Sequence, residues 1–143
     1  KVYVRDSGVL HALLGIRTEA ELLHHPKCGA SWEGYAIEEV LKVVQPDDAY
    51  FWATHQGAEL DLLLLKDGRR VGVEVKRTDA PTLTPSMRIA LNDLRLEQLI
   101  VLYPGSRRYP LADRVTVVPL SDLAGYSWRQ LLALKGKART SGS

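Results

Sequence analysis

The stretch Glu59-Leu-Asp-Leu-Leu-Leu-Leu-Lys-Asp-Gly-Arg-Arg-Val-Gly-Val-Glu-Val-Lys76 decides the fold. Asp67-Gly68 stands between two apolar runs, and Asp-Gly in that setting is a strong short-range signal for a β-hairpin. Strands are expected over Glu59 to Lys66 and Arg70 to Lys76. With only Asp67 and Gly68 in the loop, Asp61 falls opposite Glu74 and Glu59 opposite Lys76. Residues two apart share a face, so these four charged side chains project from one side. Leu60, Leu62, Leu64, Val73 and Val75 form the other side, a core face.

Two carboxylates across neighbouring strands repel, and like charges directly opposite destabilise a sheet. Lys76 offers compensation for one of them. A hard divalent cation offers it for both, since Mg²⁺ takes carboxylate oxygens and keeps several waters. Water bound to such an ion is more acidic than free water, and a nearby lysine can help position or deprotonate it. The plainer reading is a solvated strand face laced by cross-strand ion pairs.

Working outward, Ser31 can cap a helix running to about Val44, with Ala36, Ile37, Val40, Leu41 and Val44 as its apolar stripe. Glu33 lies within that stripe, while Glu38 and Glu39 point away. An acid on a core-facing stripe needs a partner. Packing against the charged end of the hairpin would make Glu33 a further metal or water ligand, and its place in the first turn would also suit the helix dipole. Gln45-Pro46-Asp47-Asp48 is a stop and a turn, and Tyr50 to Thr54 is a strand. After the hairpin, Pro81 and Pro85 bracket a loop. A helix then follows from about Pro85 to Glu97, with Met87, Ala90, Leu91 and Leu94 on one face. Gln98 to Tyr103 reads as a buried strand and Arg114 to Val118 as the last. Before Ser31, the expectation is a short strand at Lys1 to Arg5, a short helix from Ser7 to Leu14, a second from Glu19 to His24, and a connector at Pro26 to Ala30. The chain ends in a helical stretch, Trp128 to Leu134, and a polar tail expected to be mobile. The order predicts an α/β fold, a mixed β-sheet with helices packed on it.

Asp61, twelve residues, then Glu74-Val75-Lys76 resembles the signature of the PD-(D/E)XK (restriction-endonuclease-like) superfamily. Glu33 on a preceding helix resembles that superfamily's accessory acid, and helix, three strands, helix, strand is similar to its core. Leu60 stands where the named motif has Pro, a common variation. A narrower resemblance rests on Lys-Val-Tyr-Val-Arg-Asp-Ser-Gly-Val-Leu at the start, Trp32-Glu33-Gly34, Tyr50-Phe51-Trp52, Glu59-Leu60-Asp61 and Val73-Glu74-Val75-Lys76, in that order. Together these look like the bacterial and archaeal domain of unknown function numbered 4143. That resemblance implies a C-terminal domain following an AAA-type ATPase domain in one protein. It implies Asp61, Glu74 and the backbone carbonyl of Val75 as metal ligands, Lys76 on the water and Glu33 assisting. His55, Gln56 and Arg77, near the charged end, are candidate substrate contacts, with a polar turn and solvated charge as the plain alternatives.

Composition narrows the rest. The chain has 143 residues, 45% hydrophobic and 25% charged, in keeping with one folded domain over 1–125 and a helix with a basic tail over 126–143. The single Cys excludes an internal disulfide. No apolar run approaches the ~20 residues of a membrane span, and no secretory signal opens the chain. A missing initiator Met is what a piece of a longer protein would show. No Gly-x-x-x-x-Gly-Lys-Ser/Thr phosphate loop is present. Net charge is +2, but Arg129, Lys135, Lys137 and Arg139 leave 15 basic against 17 acidic residues before them, a net −2. Any contact with nucleic acid is therefore local. His24, His25 and Cys28 lack a second ligand pair at zinc spacing, and neither Ser31 nor Cys28 has a nucleophile's partners. Arg69-Arg70 and Arg107-Arg108 are further candidate phosphate contacts, each read more plainly as solvated charge. Tyr50, Phe51 and Trp52 read as core and rim, and Trp128 as an anchor for the last helix.

The expected function is Mg²⁺- or Mn²⁺-dependent hydrolysis of DNA phosphodiesters, in a cytoplasmic protein. The alternative is a catalytically silent nuclease-fold module that docks on or regulates its ATPase.

Overall fold

The computed structural model describes residues 32–134 in full, together with the strand backbone of residues 2–6 and 9–15. The expected helix over 19–24, the connector over 26–30, the cap at 31, the residues His24, His25 and Cys28, and the tail over 135–143 lie outside the described residues.

Helix α1, Trp32–Val44, forms where the apolar stripe predicts it, burying Ala36, Ile37, Val40 and Val44. It stops at Gln45, whose φ of 49° leaves the helical region. Lys66 Nζ donates to the carbonyls of Val44 at 2.6 Å and Gln45 at 3.1 Å, placing a cation on the negative end of the helix. Three strands follow: β3 (Asp48–Ala53), β4 (Glu59–Lys66) and β5 (Arg69–Val75). Helix α2, Pro85–Asp93, starts where Thr84 caps it, its hydroxyl accepting from Met87 N at 3.2 Å with Pro85 at the first helical position. It ends earlier than the expected Glu97. Leu94 caps it, and Arg95 at φ 53° turns the chain toward the sheet, where Glu97 N donates to Arg70 O at 2.9 Å. Then come β6 (Gln98–Tyr103), β7 (Tyr109–Ala112), β8 (Val115–Pro119), a 3₁₀ turn over Leu120–Gly125 and a short helix α3, Trp128–Ala133.

Before α1 come strands β1 (Val2–Asp6) and β2 (Val9–Gly15), and the strand order is β1-β2-β3-β4-β5-β6-β8-β7. β3 to β8 form a mixed sheet: β3, β4 and β5 run antiparallel, β5, β6 and β8 parallel, and β7 closes the edge antiparallel to β8. The hairpin of β1 and β2 adds to β3 through Leu14↔Phe51 and Gly15↔Tyr50. The helix expected over Ser7 to Leu14 is therefore a strand. Its register with β1 runs from Asp6↔Val9 to Val2↔Leu13. Pairing with β1 and β3 outweighs the weak local helical preference of the Leu-rich run. β7 was not expected either, because Pro110 interrupts it; an edge strand tolerates that loss of a donor.

Helices cover both faces of the sheet. One core joins α1 to Leu62, Leu64, Val71, Val73, Val75, Ile100, Leu102 and Val118, with Trp128 and Leu131 of α3. The other joins Met87, Ala90 and Leu91 of α2 to Leu60, Leu63, Leu99, Val101 and Val117. Gly72 permits the second packing, since a Cβ there would lie 2.7 Å from Leu96 Cδ1 and 2.8 Å from Leu99 Cδ1.

Candidate functional site

The β4–β5 hairpin has the expected register from its turn to its middle, Lys66↔Arg69 through Leu62↔Val73. Asp67 (φ 55°) and Gly68 (φ 76°) adopt the left-handed backbone such a turn requires. Beyond Leu62 the described ladder stops. Val75 N, which a continued ladder would give to Leu60 O, donates instead to Asp61 Oδ2 at 2.8 Å. The carboxylate of Asp61 thus stands where backbone would have closed the sheet.

The cause lies on the other side of β4. Its pairing with β3 shifts between Tyr50↔Leu63 and Trp52↔Leu60, so Asp61 and Leu62 together oppose Phe51. This extra residue is a β-bulge, a device that bends a strand and re-aims side chains. It corrects the simple alternation: Leu60 leaves the face of Leu62 and Leu64 and joins Leu63 in the opposite core. The four charged residues therefore do not share one solvated face: with Leu60 on the side of Glu74, alternation puts Glu59 on the other side, where it is exposed, while Asp61 and Lys76 are half-buried and Glu74 is covered. Gly72, which shares a face with Glu74 by alternation, lies under Leu96 and Leu99, and Glu74 itself is only 5% exposed.

Asp61 is half-buried, and both it and Glu74 have polar or electrostatic partners in the fold. Lys76 is half-buried and continues the parallel ladder, its N–H donating to Leu102 O at 2.8 Å. Two residues beyond Glu74 on a continued strand, it returns to Glu74's side. Val75's carbonyl points to the same strand edge as its N–H, the edge that Asp61 occupies.

The remaining candidates gather at this end. Thr54 and Ala58 close a tight loop between β3 and β4, Thr54 N donating to Ala58 O at 2.9 Å and Ala58 N to Thr54 Oγ1 at 3.1 Å. His55 and Gln56 are exposed in that loop, and Arg77 is exposed just past Lys76. The C-terminus of α1 is tied to Lys66 at the turn end of the hairpin, so its N-terminus, with half-buried Glu33, lies at the open end. From Val44 to Glu33 the helix spans about 17 Å, and from Lys66 to Asp61 the strand spans about the same. Among the described residues no group of three His, Cys, Asp or Glu side chains is placed to hold a metal. Asp61 Oδ2 and the backbone of Val75 meet at this edge, and Glu74 precedes Val75 on β5. A cavity of about 390 Å³ is lined by Trp32, Tyr35, Glu39, Pro104 and Leu120; Glu39, expected to point away, is half-buried like Glu33 and is the helix acid that lines it. A wider cavity, about 670 Å³, lies at the opposite end around Arg95, Gln98 and Arg114.

The family described as domain of unknown function (DUF4143) matches residues 28–123. The chain belongs to this family. The match spans α1, the sheet from β3 to β8 and every candidate residue at the open end. The chain is also 47% identical over 135 residues to uncharacterized protein Rv2008c of Mycobacterium tuberculosis (strain H37Rv) and to uncharacterized protein Mb2031c of Mycobacterium bovis. Each alignment covers 94% of the DUF4143 chain but 31% of the relative, so the chain spans about a third of the length of these curated proteins. No solved structure matches. Among the described residues no helix is long and apolar enough to cross a membrane.

Proposed function

We propose that this DUF4143 domain has the restriction-endonuclease-like fold of the PD-(D/E)XK superfamily and hydrolyses phosphodiester bonds of DNA with Mg²⁺ or Mn²⁺. The observation that carries the reading is the opening between β4 and β5. There Asp61 Oδ2 accepts from Val75 N at 2.8 Å, and Glu74 and Lys76 flank that residue. The run α1, β3-β4-β5, α2, β6, with β6 parallel to β5, supports it.

Asp61, Glu74 and the carbonyl of Val75 would hold the ion, a set of hard oxygens that suits a cation keeping part of its water shell. The bound ion supplies a polarised phosphoryl oxygen and a more acidic water. Lys76 would orient the attacking water and receive or share its proton, and Glu33 would hold a water from the helix side. His55, Gln56 and Arg77, exposed on the rim, would steady the phosphate backbone. The length of the relatives leaves room for the AAA-type ATPase domain expected in the same bacterial or archaeal full-length protein, and a DNA substrate is compatible with a cytoplasmic site of action.

The second reading is a silent module that docks on or regulates its ATPase, favoured by the net −2 charge of the body before the basic tail. Titration with Mn²⁺, followed by thermal unfolding and cleavage of single-stranded, linear duplex and supercoiled DNA, separates the two. The enzyme gains stability with metal by mass action, cleaves at least one form, and loses cleavage with EDTA and in Lys76→Ala. The module cleaves none.

A further inference from the structure

A second polar site lies on the face of the sheet that carries α3, toward the β8 edge. A cavity of about 410 Å³ there is lined by Arg108, Thr116, Tyr126, Gln130, Ala133 and Leu134. Thr116 pairs with Ile100 across β6 and β8, is 3% exposed, and its Oγ1 has no hydrogen-bond partner. A buried hydroxyl left without a partner is unfavourable, and a polar group entering the cavity would relieve that cost. The other polar groups are committed in a way that leaves donors. Arg108 Nη1 donates to Tyr126 Oη at 2.7 Å, leaving the phenolic proton and the other guanidinium N–H groups to donate elsewhere. Gln130 Oε1 accepts from Ser127 N at 2.9 Å as half of a capping box on α3. That bond fixes which end of the amide is oxygen, and it leaves Nε2 as a donor.

The lining therefore holds a guanidinium, a phenol, an amide NH₂ and a buried hydroxyl, with no carboxylate among them. We propose that this cavity binds a phosphate group. The donors come from three elements: the segment before β7, strand β8, and helix α3 with the residues leading into it. Donors from three directions suit a tetrahedral oxyanion better than a planar one. Arginine supplies the charge-assisted hydrogen bonds that phosphate favours. Ala133 and Leu134 form an apolar wall along which an organic substituent of the phosphate can lie. The assignment does not rest on the nuclease reading, since no residue of this cavity belongs to the Asp61–Glu74 end.

The test is a titration of the full chain with inorganic phosphate at constant ionic strength, followed by ³¹P and amide NMR and by thermal unfolding. Saturable binding is expected, weakened about tenfold or more in Arg108→Gln and by a smaller factor in Thr116→Val. The Val variant keeps the strand-forming shape and removes the unpartnered hydroxyl, so it should fold at least as stably as the parent without phosphate. Comparison with both variants cancels the general stabilisation that phosphate gives any protein. A short DNA duplex added to the phosphate complex identifies the source. Displacement of phosphate assigns the site to a nucleic-acid backbone phosphate, and its retention assigns it to a free or small-molecule phosphate. A phosphate response that never saturates, or that saturates equally in both variants, overturns the proposal while leaving the cleavage assay unaffected.

Discussion

The two ends of the β4–β5 hairpin are built from the same alternating pattern and end differently. At the turn, Asp67 and Gly68 close a regular ladder, and neighbouring groups brace it: Asp67 N donates to Asp47 Oδ2 at 3.1 Å, and Arg69 pairs with Glu97 at 2.8 Å. At the far end a bulge opens β4 away from β5, and a side-chain carboxylate takes the backbone N–H that the ladder leaves. Backbone pairing is an inexpensive way to satisfy buried polar groups. Here the half-buried Asp61 carboxylate substitutes for it, on the strand next to the one that carries buried Glu74. The turn end is thus the structural half of the hairpin, and the open end the candidate chemical half.

The sharpest way to break this contrast is Lys76→Ala. Proton-transfer and water-positioning side chains contribute typically 10²–10⁴-fold, so cleavage should fall by about that factor while Mn²⁺ affinity by calorimetry stays close to the parent's. Cleavage at the parent rate, in a preparation shown free of contaminating nuclease, removes Lys76 from the proposed chemistry.

Asp61 separates structural from chemical work at one position. Asp61→Ala leaves Val75 N–H without its acceptor and should cost about 1–3 kcal/mol in urea unfolding. Asp61→Asn keeps an oxygen in place and should cost clearly less, yet both variants should lose metal binding. Equal destabilisation by the two would mean that the hydrogen bond is not what holds the opening.

Gly68→Ala probes the turn end. A Cβ there meets nothing within 4 Å, so only the φ of +76° opposes it. The expected loss is about 1–2 kcal/mol, with metal binding and cleavage per folded molecule unchanged; a change in either would tie the turn to the site. Arg69→Ala should have the smallest effect. Its pair with Glu97 is about half exposed on both sides, and such pairs contribute roughly 0.2–1 kcal/mol, so a shift near the lower bound is expected. A larger loss would make the Arg69–Glu97 contact a genuine clamp between β5 and the segment leading to β6.

The chain's own pattern determined the hairpin with its register from the turn to Leu62↔Val73, the apolar stripe of α1, and the order of helix, three strands, helix, strand. Each is written in residues close in sequence: the Asp-Gly turn, the spacing of three and four, the period of two. Strand β2 escaped because Val9 to Leu14 is ambiguous locally, and only its partners β1 and β3 make it extended. The bulge at Asp61 and Leu62 escaped because no Gly or Pro marks it. It exists through the mismatch between two pairing registers, which involves β3 as much as β4. Burial of Glu74 was likewise invisible, since the helix on its side of the sheet begins only at Pro85. The sequence by itself thus placed Asp61, Glu74 and Lys76 on one hairpin. Only the tertiary structure decided that the hairpin opens there, because a ladder breaks through the competing demands of its neighbours on both sides.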